Sequence, residues 1–489
     1  MNIWTEVARV ASARGSHPAI RFEGESLSYD DLARRVEDRA SLFHSAGIKL
    51  GDRVCLFLPN IPEFAVTYYA LLRLGAVAVS VNVMCKADEI RHIVNDAGAI
   101  ALITTRELET SLPPRDTIPT LVGVFVDLPD TGPLSGHQAP PTRDLPRDAP
   151  AAILYTSGTT GVPKGAVLSH GNVISNAHSA RHASGMRPDD VTLCFLPLFH
   201  CFGQNYLLNA TLFSGATLAL ERRFSVDGVI ACLGRERVTM FFAVPTATIA
   251  LLADERLNEA ITSLRYAFSA AAILPVHVEE AWHKLTGIHV HEGYGLTETS
   301  PFASYNHSWK WKSGSVGAPI ENVELSVQDP SGGLLEAFEV GEICIRGPNV
   351  MLGYWGRPAE TAEAIRDGWF HSGDIGYRDA EGDYFLVDRV KDMINAAGFK
   401  VWPREVEEVL FAHESIHEAA VVGVPDDYAG EAVKAFLVAR AGVTIEIESV
   451  LTHCRERLSA YKVPKHVEVV TAIPKGATGK VLKKDLRQR

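Results

Sequence analysis

A turn rich in glycine and hydroxyl side chains follows an apolar, strand-like segment. Residues 153–165 read ILYTSGTTGVPKG. Backbone N–H groups and hydroxyls in such a turn can bind phosphate oxygens, and Lys164 adds positive charge. The GxxxxGK[ST] spacing of an ordinary P-loop is absent. We therefore predict a different kind of triphosphate-binding loop, formed by Thr156, Ser157, Gly158, Thr159, Thr160, Gly161 and Lys164.

Two later segments place carboxylates where a nucleotide and a metal ion could use them. In GYGLTET (residues 293–299), Glu298 stands beside the hydroxyl of Thr297. Carboxylate and hydroxyl oxygens suit Mg²⁺, a hard cation that seeks oxygen ligands. In HSGD (residues 371–374), Asp374 can accept hydrogen bonds from both hydroxyls of a ribose. These residue types are compatible with a nucleotide bound together with a magnesium ion, although a Thr-Glu pair taken alone is more typical of a solvated turn.

Near the end of the chain, Lys480 lies in the sequence GATGK. A flexible turn of this composition can deliver one ammonium group to an anionic centre. We find no convincing GxSxG nucleophile motif and no Cys/His pair in the sequence.

Composition excludes several other classes of protein. The net charge of −12 over 489 residues disfavours a nucleic-acid partner, which would require clustered Lys and Arg. The seven cysteines are scattered without a CxxC pair, so neither a zinc site nor a disulfide framework is expected. The sequence has no apolar run of about 18 residues, and its beginning lacks the basic and apolar regions of a secretory signal. We therefore expect a cytoplasmic enzyme with no membrane span.

The elements that must position these residues alternate in type. Ser28 and Asp31 have the spacing of a helix N-cap, and apolar residues then recur at helical intervals as far as Gly47. Strand-like and helical segments then follow in turn, at residues 54–58, 61–73, 76–81, 86–96 and 99–104. This alternation predicts α/β layers around a largely parallel sheet. The proline-rich stretch between about residues 110 and 150 is interpreted as a surface connection between subdomains.

A second boundary is predicted near residues 388–392, where a strand-like segment gives way to charged residues. Beyond it, helix and strand patterns are sufficient for a small α+β domain. The predicted fold is therefore α/β, with a large N-terminal domain of several subdomains and mostly parallel sheets (residues 1–388). A small, mobile α+β C-terminal domain (residues 389–489) follows.

In their order, these motifs resemble the adenylate-forming superfamily, which includes acyl-CoA synthetases, aryl-CoA ligases, luciferases and the adenylation domains of peptide synthetases. Besides the loop, the matching segments are LPLFH (196–200), GYGLTET (293–299), HSGDIGY (371–377), DRVKDMINAAGFKVWPREVE (388–407) and PKGATGKVLKKDL (474–486). The resemblance covers nearly the whole chain. It implies that a carboxylic acid reacts with ATP and Mg²⁺ to give acyl-AMP and pyrophosphate. The acyl group then passes to the thiol of coenzyme A.

The resemblance also implies a role for individual residues. Glu298 would lie on the magnesium side, and Thr297 would contact the α-phosphate. Tyr294 with Gly295 would form the adenine wall, whereas Arg389 would be a second ribose or phosphate contact beside Asp374. Lys480 would contact the attacking carboxylate and the α-phosphate. The remaining residues are expected in the acyl pocket (His200, Val244, Thr248, Ser269, Ala270, Ala271 and Gly295), along the CoA tunnel (Gly398, Phe399 and Lys400) and at the hinge (Lys391).

Several alternatives stay open at this point. His200 either lines the acyl pocket or only packs beside it. Amino-acid-activating relatives have an Asp that pairs with the substrate amine, whereas residues 199–204 read FHCFGQ here. A fatty or other apolar acid is therefore expected, with an aryl acid second. A phosphopantetheinyl carrier protein is the alternative thiol acceptor. A phosphate-binding scaffold protein and a luciferase-like oxygenase are the more distant alternatives, and the oligomeric state is left open.

Overall fold

The computed structural model describes residues 1–128, 140–156, 163–389, 392–396, 399–426, 430–476 and 479–487. The strands of this part of the chain are β1 Pro18–Phe22, β2 Glu25–Ser28, β3 Arg53–Phe57, β4 Val77–Ser80, β5 Ala101–Thr104, β6 Gly123–Val126, β7 Pro150–Thr156, β8 Lys164–Ser169, β9 Val191–Cys194, β10 Thr217–Leu220, β11 Met240–Ala243, β12 Tyr266–Ser269, β13 Val290–Gly295, β14 Phe302–Tyr305, β15 Ala318–Pro319, β16 Glu324–Gln328, β17 Gly341–Arg346, β18 Gly353–Tyr354, β19 Ile365–Arg366, β20 Trp369–Arg378, β21 Tyr384–Arg389, β22 Ile394–Ala396, β23 Phe399–Val401, β24 Ile416–Asp426, β25 Gly430–Ala439 and β26 His466–Val469.

The α-helices in the same residues are α1 Ile3–Arg14, α2 Tyr29–Ser45, α3 Pro62–Leu74, α4 Ala87–Ala97, α5 Arg106–Glu109, α6 His170–Ala183, α7 Asn209–Phe213, α8 Val226–Arg235, α9 Pro245–Leu252, α10 Leu257–Ala260, α11 Val276–Thr286, α12 Pro358–Ala364, α13 Pro403–Phe411, α14 Ile447–Arg457 and α15 Lys483–Arg487. A π-helical segment, Phe202–Leu208, leads into α7. None of the described helices is long and apolar enough to cross a membrane.

Local sequence signals explain where the N-terminal helices begin and end. The side chain of Ser28 accepts a hydrogen bond from the Asp31 N–H, which caps α2 as its spacing predicted. Helix α3 begins with Pro62, whose missing N–H costs nothing in the first turn. It ends at Gly75, which has φ 77° and can adopt this left-handed conformation without strain. The alternation predicted for residues 28–104 is therefore confirmed.

One sheet of the large domain has seven strands in the order β18-β8-β7-β4-β3-β5-β6. The strand pairs from β7 to β6 are parallel, whereas β8 and β18 add antiparallel pairs at the other edge. The interpretation of residues 110–150 as a connection between subdomains is wrong. Strand β6 lies within that stretch and pairs with β5, and β7 belongs to the same sheet. Strand β6 contains no proline and occupies an edge position, so the surrounding prolines do not prevent its pairing.

A second sheet has nine strands in the order β15-β14-β13-β12-β11-β9-β10-β1-β2. Its central pairs are parallel, and antiparallel strands close both edges. Apolar side chains of this sheet and of helices such as α3 form one large buried core. The mostly parallel character predicted for the large domain is confirmed in these two sheets.

A third sheet, β16-β17-β20-β19 with β21 beside β20, is antiparallel throughout its described pairs. The alternation of helices and strands in the first hundred residues could not predict it, because β17 pairs with β20 and not with the strand that follows it in the chain. Strand β21 ends at Arg389, which pairs with Asp374 in β20. The predicted boundary therefore falls at the end of a strand of the large domain.

The small domain has its own antiparallel sheet, β23-β22-β25-β24, with β26 added in parallel to β25. Helices α13 and α14 pack on this sheet around a separate core that includes Val406, Leu410, Val421 and Val450. The α+β character predicted for this part of the chain is confirmed. The division between residues 388 and 389 stays a prediction.

Candidate active site

The predicted phosphate-binding loop joins β7 to β8, which form an antiparallel hairpin. Thr156 pairs with Lys164 at the end of this hairpin. Residues 157–162, which include Ser157, Gly158, Thr159, Thr160 and Gly161, lie outside the described residues. The Nζ of Lys164 lies 5.4 Å from the ring centroid of Tyr354, a distance typical of a cation–π contact.

Glu298 lies in a short turn directly after β13 and is buried, with 8% of its surface exposed. The hydroxyl of Tyr354 donates a hydrogen bond of 2.9 Å to Glu298 Oε1. Burial raises the pKa of the Glu298 carboxyl, and this hydrogen bond only partly opposes the shift. A buried carboxylate is costly without a positive partner. The Glu298 oxygens and the neighbouring Thr297 hydroxyl therefore fit a Mg²⁺ ion brought in with a nucleotide.

Two asparagines fix the turn that follows Glu298. The side-chain amides of Asn176 and Asn349 both donate to the carbonyl oxygens of Thr299 and Phe302. Just before the turn, a Cβ at Gly295 would lie 1.8 Å from the Pro301 carbonyl oxygen. Only glycine fits at this position, and the close approach of the two backbone segments sets the path of residues 295–302.

Tyr294, near the end of β13, forms one polar group with Asp374 and Arg389 of the third sheet. The Tyr294 hydroxyl donates to Asp374 Oδ2 over 2.8 Å, and Arg389 Nε lies 2.6 Å from Asp374 Oδ1. Burial alone would lower the pKa of the Arg389 guanidinium, but Asp374 and Tyr294 raise it on balance. The structure therefore brings together three of the residues for which the resemblance implied contacts with adenine and ribose.

Asp374 is presented by a bulge in β20. Cys344 of β17 pairs with His371, and Glu342 pairs with Ile375, so more residues are accommodated on β20 than on β17. Gly373 within the bulge has φ 70°, which favours glycine. Its N–H donates to Glu342 Oε1 over 2.9 Å. The carboxylate of Glu342 therefore supports the backbone that carries Asp374.

The turn that carries Lys480 lies against the large domain. A Cβ at Gly479 would lie 2.7 Å from Thr246 Oγ1 and 3.1 Å from Val244 Cγ2. The pKa of His200 is lowered to about 4, because burial disfavours the imidazolium and the positive charge of Lys480 repels it. His200 Nδ1 accepts a hydrogen bond of 3.2 Å from the Phe202 N–H, so the proton of the neutral ring is on Nε2. Lys480, His200 and Val244 therefore converge on one region.

The other residues expected in the acyl pocket differ in their exposure. Val244, Thr248, Ser269 and Ala270 are buried, whereas Ala271 is exposed and has φ 70°. The hydroxyl of Ser269 is buried and has no hydrogen-bond partner among the described residues.

The residues expected to contact coenzyme A do not join this group. Phe399 and Lys400 are exposed on β23, and the Phe399 ring stacks on Tyr461 of the same domain at 4.7 Å between centroids. Gly398 and the expected hinge residue Lys391 lie outside the described residues.

Sequence reasoning missed three residues that contact the group. Tyr354 links Lys164 to Glu298, Glu342 supports the Asp374 bulge, and Cys201 Sγ lies 3.5 Å from Thr297 Oγ1. No spacing in the sequence indicates Tyr354, since it reaches the site by pairing of β18 with β8. Cys201 follows His200 directly, which is the one local signal that could have indicated it.

Comparison with known proteins places this fold and site in a family. The AMP-binding enzyme family matches residues 7–355, and the AMP-binding enzyme C-terminal domain matches residues 405–480. The chain therefore belongs to the AMP-binding enzyme family. It is an adenylate-forming acid–CoA ligase, with ATP and coenzyme A as cosubstrates.

Three similar proteins illustrate the range of the family. A feruloyl-CoA synthase of Amycolatopsis sp is 37% identical over 476 residues, covering 96% of this chain and 95% of that enzyme. A long-chain-fatty-acid–CoA ligase of Bacillus subtilis is 34% identical, covering 96% of this chain and 91% of that enzyme. The crystal structure of ATP-bound MatB from Rhodopseudomonas palustris superposes with a TM-score of 0.91 at 32% identity, covering 100% of this chain and 99% of that chain.

Proposed function

We propose that this enzyme activates an apolar carboxylic acid at the junction of its two domains and transfers the acyl group to coenzyme A. The proposal assigns the first half-reaction, formation of acyl-AMP, to the domain arrangement of this structure. ATP and coenzyme A are intracellular cosubstrates, so we place the reaction in the cytoplasm.

The position of Lys480 is the observation that carries this proposal. The Gly479–Lys480 turn belongs to the small domain, yet it packs against Val244 and Thr246 and lowers the pKa of His200 in the large domain. An ammonium delivered to this region can neutralise an attacking carboxylate. A binding protein for phosphate would gain nothing from a cation supplied by a second domain.

The mechanism follows from the charges that must meet. An anionic carboxylate attacks the α-phosphate of an anionic triphosphate, so cations must offset their repulsion. Lys164, on the strand that follows the phosphate-binding loop, faces the phosphates. Lys480 contacts the carboxylate, and Thr297 contacts the α-phosphate. When bound, Mg²⁺ supplies further positive charge at the phosphates, with Glu298 as its protein ligand. Pyrophosphate leaves, and acyl-AMP remains.

Asp374, Arg389 and Tyr294 orient the nucleotide during this step. In the structure the Asp374 carboxylate accepts from both Tyr294 and Arg389, which fixes its orientation. A carboxylate positioned in this way can accept both ribose hydroxyls. Because such contacts hold the α-phosphate in line with the acid, they contribute to rate through orientation.

The residues around Lys480 support the assignment to an apolar acid. Val244 and Ala270 are buried and uncharged, and no carboxylate occurs in residues 199–204, where a partner for a substrate amine would be expected. A buried ammonium without a partner would be costly, which disfavours amino acids. The relatives include ligases named for a long-chain fatty acid and for the aryl acid feruloate, so an aryl acid is the second candidate.

A panel of acids tests the proposal directly. Straight-chain aliphatic, aryl and amino acids would each be assayed for pyrophosphate release with ATP and Mg²⁺. Each assay would then be repeated with coenzyme A and with a phosphopantetheinylated carrier protein. We expect aliphatic acids to give the highest kcat/KM and coenzyme A to be the better acceptor. Efficient activation of a zwitterionic amino acid would overturn the assignment of the acid, and selective loading of the carrier would overturn that of the acceptor.

A further inference from the structure

A thiol, an imidazole and a carboxylate converge on the third sheet, next to the Asp374 bulge. Glu342 and Cys344 are two residues apart on β17, so their side chains share one face of the strand. His371 lies opposite Cys344 on β20. His371 Nδ1 lies 3.3 Å from Cys344 Sγ and 2.9 Å from Glu342 Oε2. The three ligand atoms all lie within 4.8 Å of one another.

These separations are close to those of a tetrahedral zinc site. Zinc bound to nitrogen, oxygen and sulfur at normal lengths separates the nitrogen from the oxygen by about 3.4 Å and from the sulfur by about 3.6 Å. The cluster therefore needs to open by only a few tenths of an ångström. Cys344 is fully buried, whereas the Glu342 side chain is 24% exposed and that of His371 is 11% exposed, so the ion and a fourth ligand from solvent would enter beside these two side chains.

A neighbouring arginine is the cation that already faces the cluster. Arg366 Nη2 lies 2.7 Å from His371 Nδ1 and 3.8 Å from Glu342 Oε2. Its side chain is 52% exposed and can move into solvent. A metal ion and the Arg366 guanidinium would therefore compete for the same two side chains.

We propose that Glu342, Cys344 and His371 form a binding site for a thiophilic divalent cation, with Zn²⁺ as the fitting ion. The site is separate from the magnesium position at Glu298, since thiolate and imidazole ligands select a softer metal than Mg²⁺. Binding converts the Cys344 thiol to a thiolate and releases its proton to solvent. The absence of a CxxC pair in the sequence gave no indication of this site, because its ligands come from two strands.

Hydrogen bonds connect the proposed ion site to the bulge that carries Asp374. Glu342 uses Oε1 to accept from the Gly373 N–H and Oε2 to contact His371. The Ser372 hydroxyl donates to the Ile343 carbonyl oxygen and accepts from the Asp374 N–H. An ion that separates Glu342 and His371 to the spacing of metal ligands therefore shifts the bulge that presents Asp374. Zn²⁺ at this site is expected to weaken nucleotide binding.

A cluster of three carboxylates elsewhere in the large domain differs from this one. Asp379, Glu381 and Asp383 also lie close enough together to hold an ion. The ammonium of Lys312 already lies 2.5 Å from Asp379 Oδ2 and 2.8 Å from Glu381 Oε2. Lys312 therefore already supplies the positive charge that this cluster needs.

Titration of the full-length enzyme with Co²⁺ tests the site without relying on activity. Cobalt bound to a thiolate gives a charge-transfer absorption band in the near ultraviolet, and Zn²⁺ should displace it. We expect one Co²⁺ per chain with this band, its loss in Cys344→Ser, and affinity weakened about 100-fold in His371→Asn. Cys85→Ser, which changes a half-buried thiol elsewhere, should keep the band. Arg366→Gln should bind Co²⁺ more tightly than the wild type.

Two results of the Co²⁺ titration would contradict the proposed site. A thiolate band that persists in Cys344→Ser, or its absence from the wild type at millimolar Co²⁺, would overturn the proposal. Circular dichroism of each variant checks its fold, and His371→Asn provides an independent test if the serine variant fails to fold. A second assay measures ATP binding, which Zn²⁺ should weaken in the wild type and not in Cys344→Ser.

Discussion

Arg389 Nε lies 2.6 Å from Asp374 Oδ1, across the paired ends of β20 and β21. Arg389 is also the last residue described before the predicted hinge, so the proposed nucleotide contact lies next to the predicted domain junction. We propose that the two residues together fix the ribose end of the nucleotide while the small domain changes position.

Asp374→Asn should weaken nucleotide binding. The amide keeps the size of the side chain but loses the charge that pairs with Arg389 and accepts from ribose hydroxyls. Hydrogen bonds to charged groups contribute about 1.5–3 kcal/mol each, so we expect KM for ATP to rise by roughly 10- to 100-fold. Steady-state kinetics at saturating acid would measure this change. An unchanged KM for ATP would remove Asp374 from the site, and Asp367→Asn serves as an exposed control on the neighbouring turn.

Glu298→Gln should weaken magnesium-dependent adenylation by several kcal/mol, because it removes an anionic ligand of the ion. ATP–pyrophosphate exchange measured over a range of Mg²⁺ concentrations would report the loss. Tyr354→Phe is the matched control, since it removes only the hydrogen bond to Glu298 and leaves the charge. If Glu298→Gln retained normal exchange, the assignment of the ion to this residue would be wrong.

Lys480→Ala should abolish most acyl-AMP formation and spare thioester formation from acyl-AMP supplied directly. In the proposed function, the lysine contacts the carboxylate only in the first half-reaction. Lys484→Ala changes an exposed lysine in the same C-terminal segment and should leave both half-reactions intact. Equal loss of both half-reactions in Lys480→Ala would contradict its assignment to the first step.

Lys391→Pro tests the hinge. Proline fixes φ near −65° and also restricts Val390, so rotation of the small domain should be impeded. We expect acyl-AMP formation to be mostly retained and acyl-CoA production to fall strongly. Lys391→Ala removes the charge alone and should retain both. Equal survival of both half-reactions in the proline variant would place the hinge elsewhere.

Glu292 should make the stability of the enzyme fall as pH rises. Burial raises the pKa of its carboxyl to about 7, while Arg404 lowers it and Glu279 raises it further. Between the ordinary value of 4.5 and about 7, the folded chain keeps a proton that the unfolded chain has lost. The free energy of unfolding therefore decreases across this window. Above it, the total decrease is on the order of 3 kcal/mol.

Thermal unfolding of Glu292→Gln would check this dependence. The amide oxygen can still accept the hydrogen bond from the Leu274 N–H. The two proteins should have similar melting temperatures at pH 5, and the glutamine variant should melt higher at pH 8. A constant difference across this range would show that Glu292 does not titrate as described.

The sequence predicted the parts of the fold that depend on local patterns. Ser28 capped its helix as expected, because caps act over a few residues. The proline-rich stretch was misinterpreted because its proline content outweighed the four-residue strand β6 inside it. The antiparallel third sheet depends on pairings between distant strands, which composition and periodicity do not encode.

The candidate site also contains some residues that sequence motifs predicted and others that only the fold brings to it. Tyr294, Asp374 and Arg389 were expected from their motifs, although these motifs did not predict the bonds that join them. Tyr354 could not have been expected, because its place beside Glu298 and Lys164 depends on the pairing of β18 with β8. Glu342 acts through the backbone of a bulge, which no spacing rule describes.

Replacement of Gly479 by a residue as small as alanine is expected to reduce the activity of the enzyme. Its φ of 77° is one that residues with a side chain rarely adopt, and Thr246 and Val244 leave no space for a Cβ. A single added methyl group therefore opposes the approach of the turn to the large domain, although it touches neither ATP nor the acid. The small domain has its own core and would remain folded. In a population of random variants, loss of activity at this position would thus occur in well-folded protein, and measurements of abundance alone would not detect it.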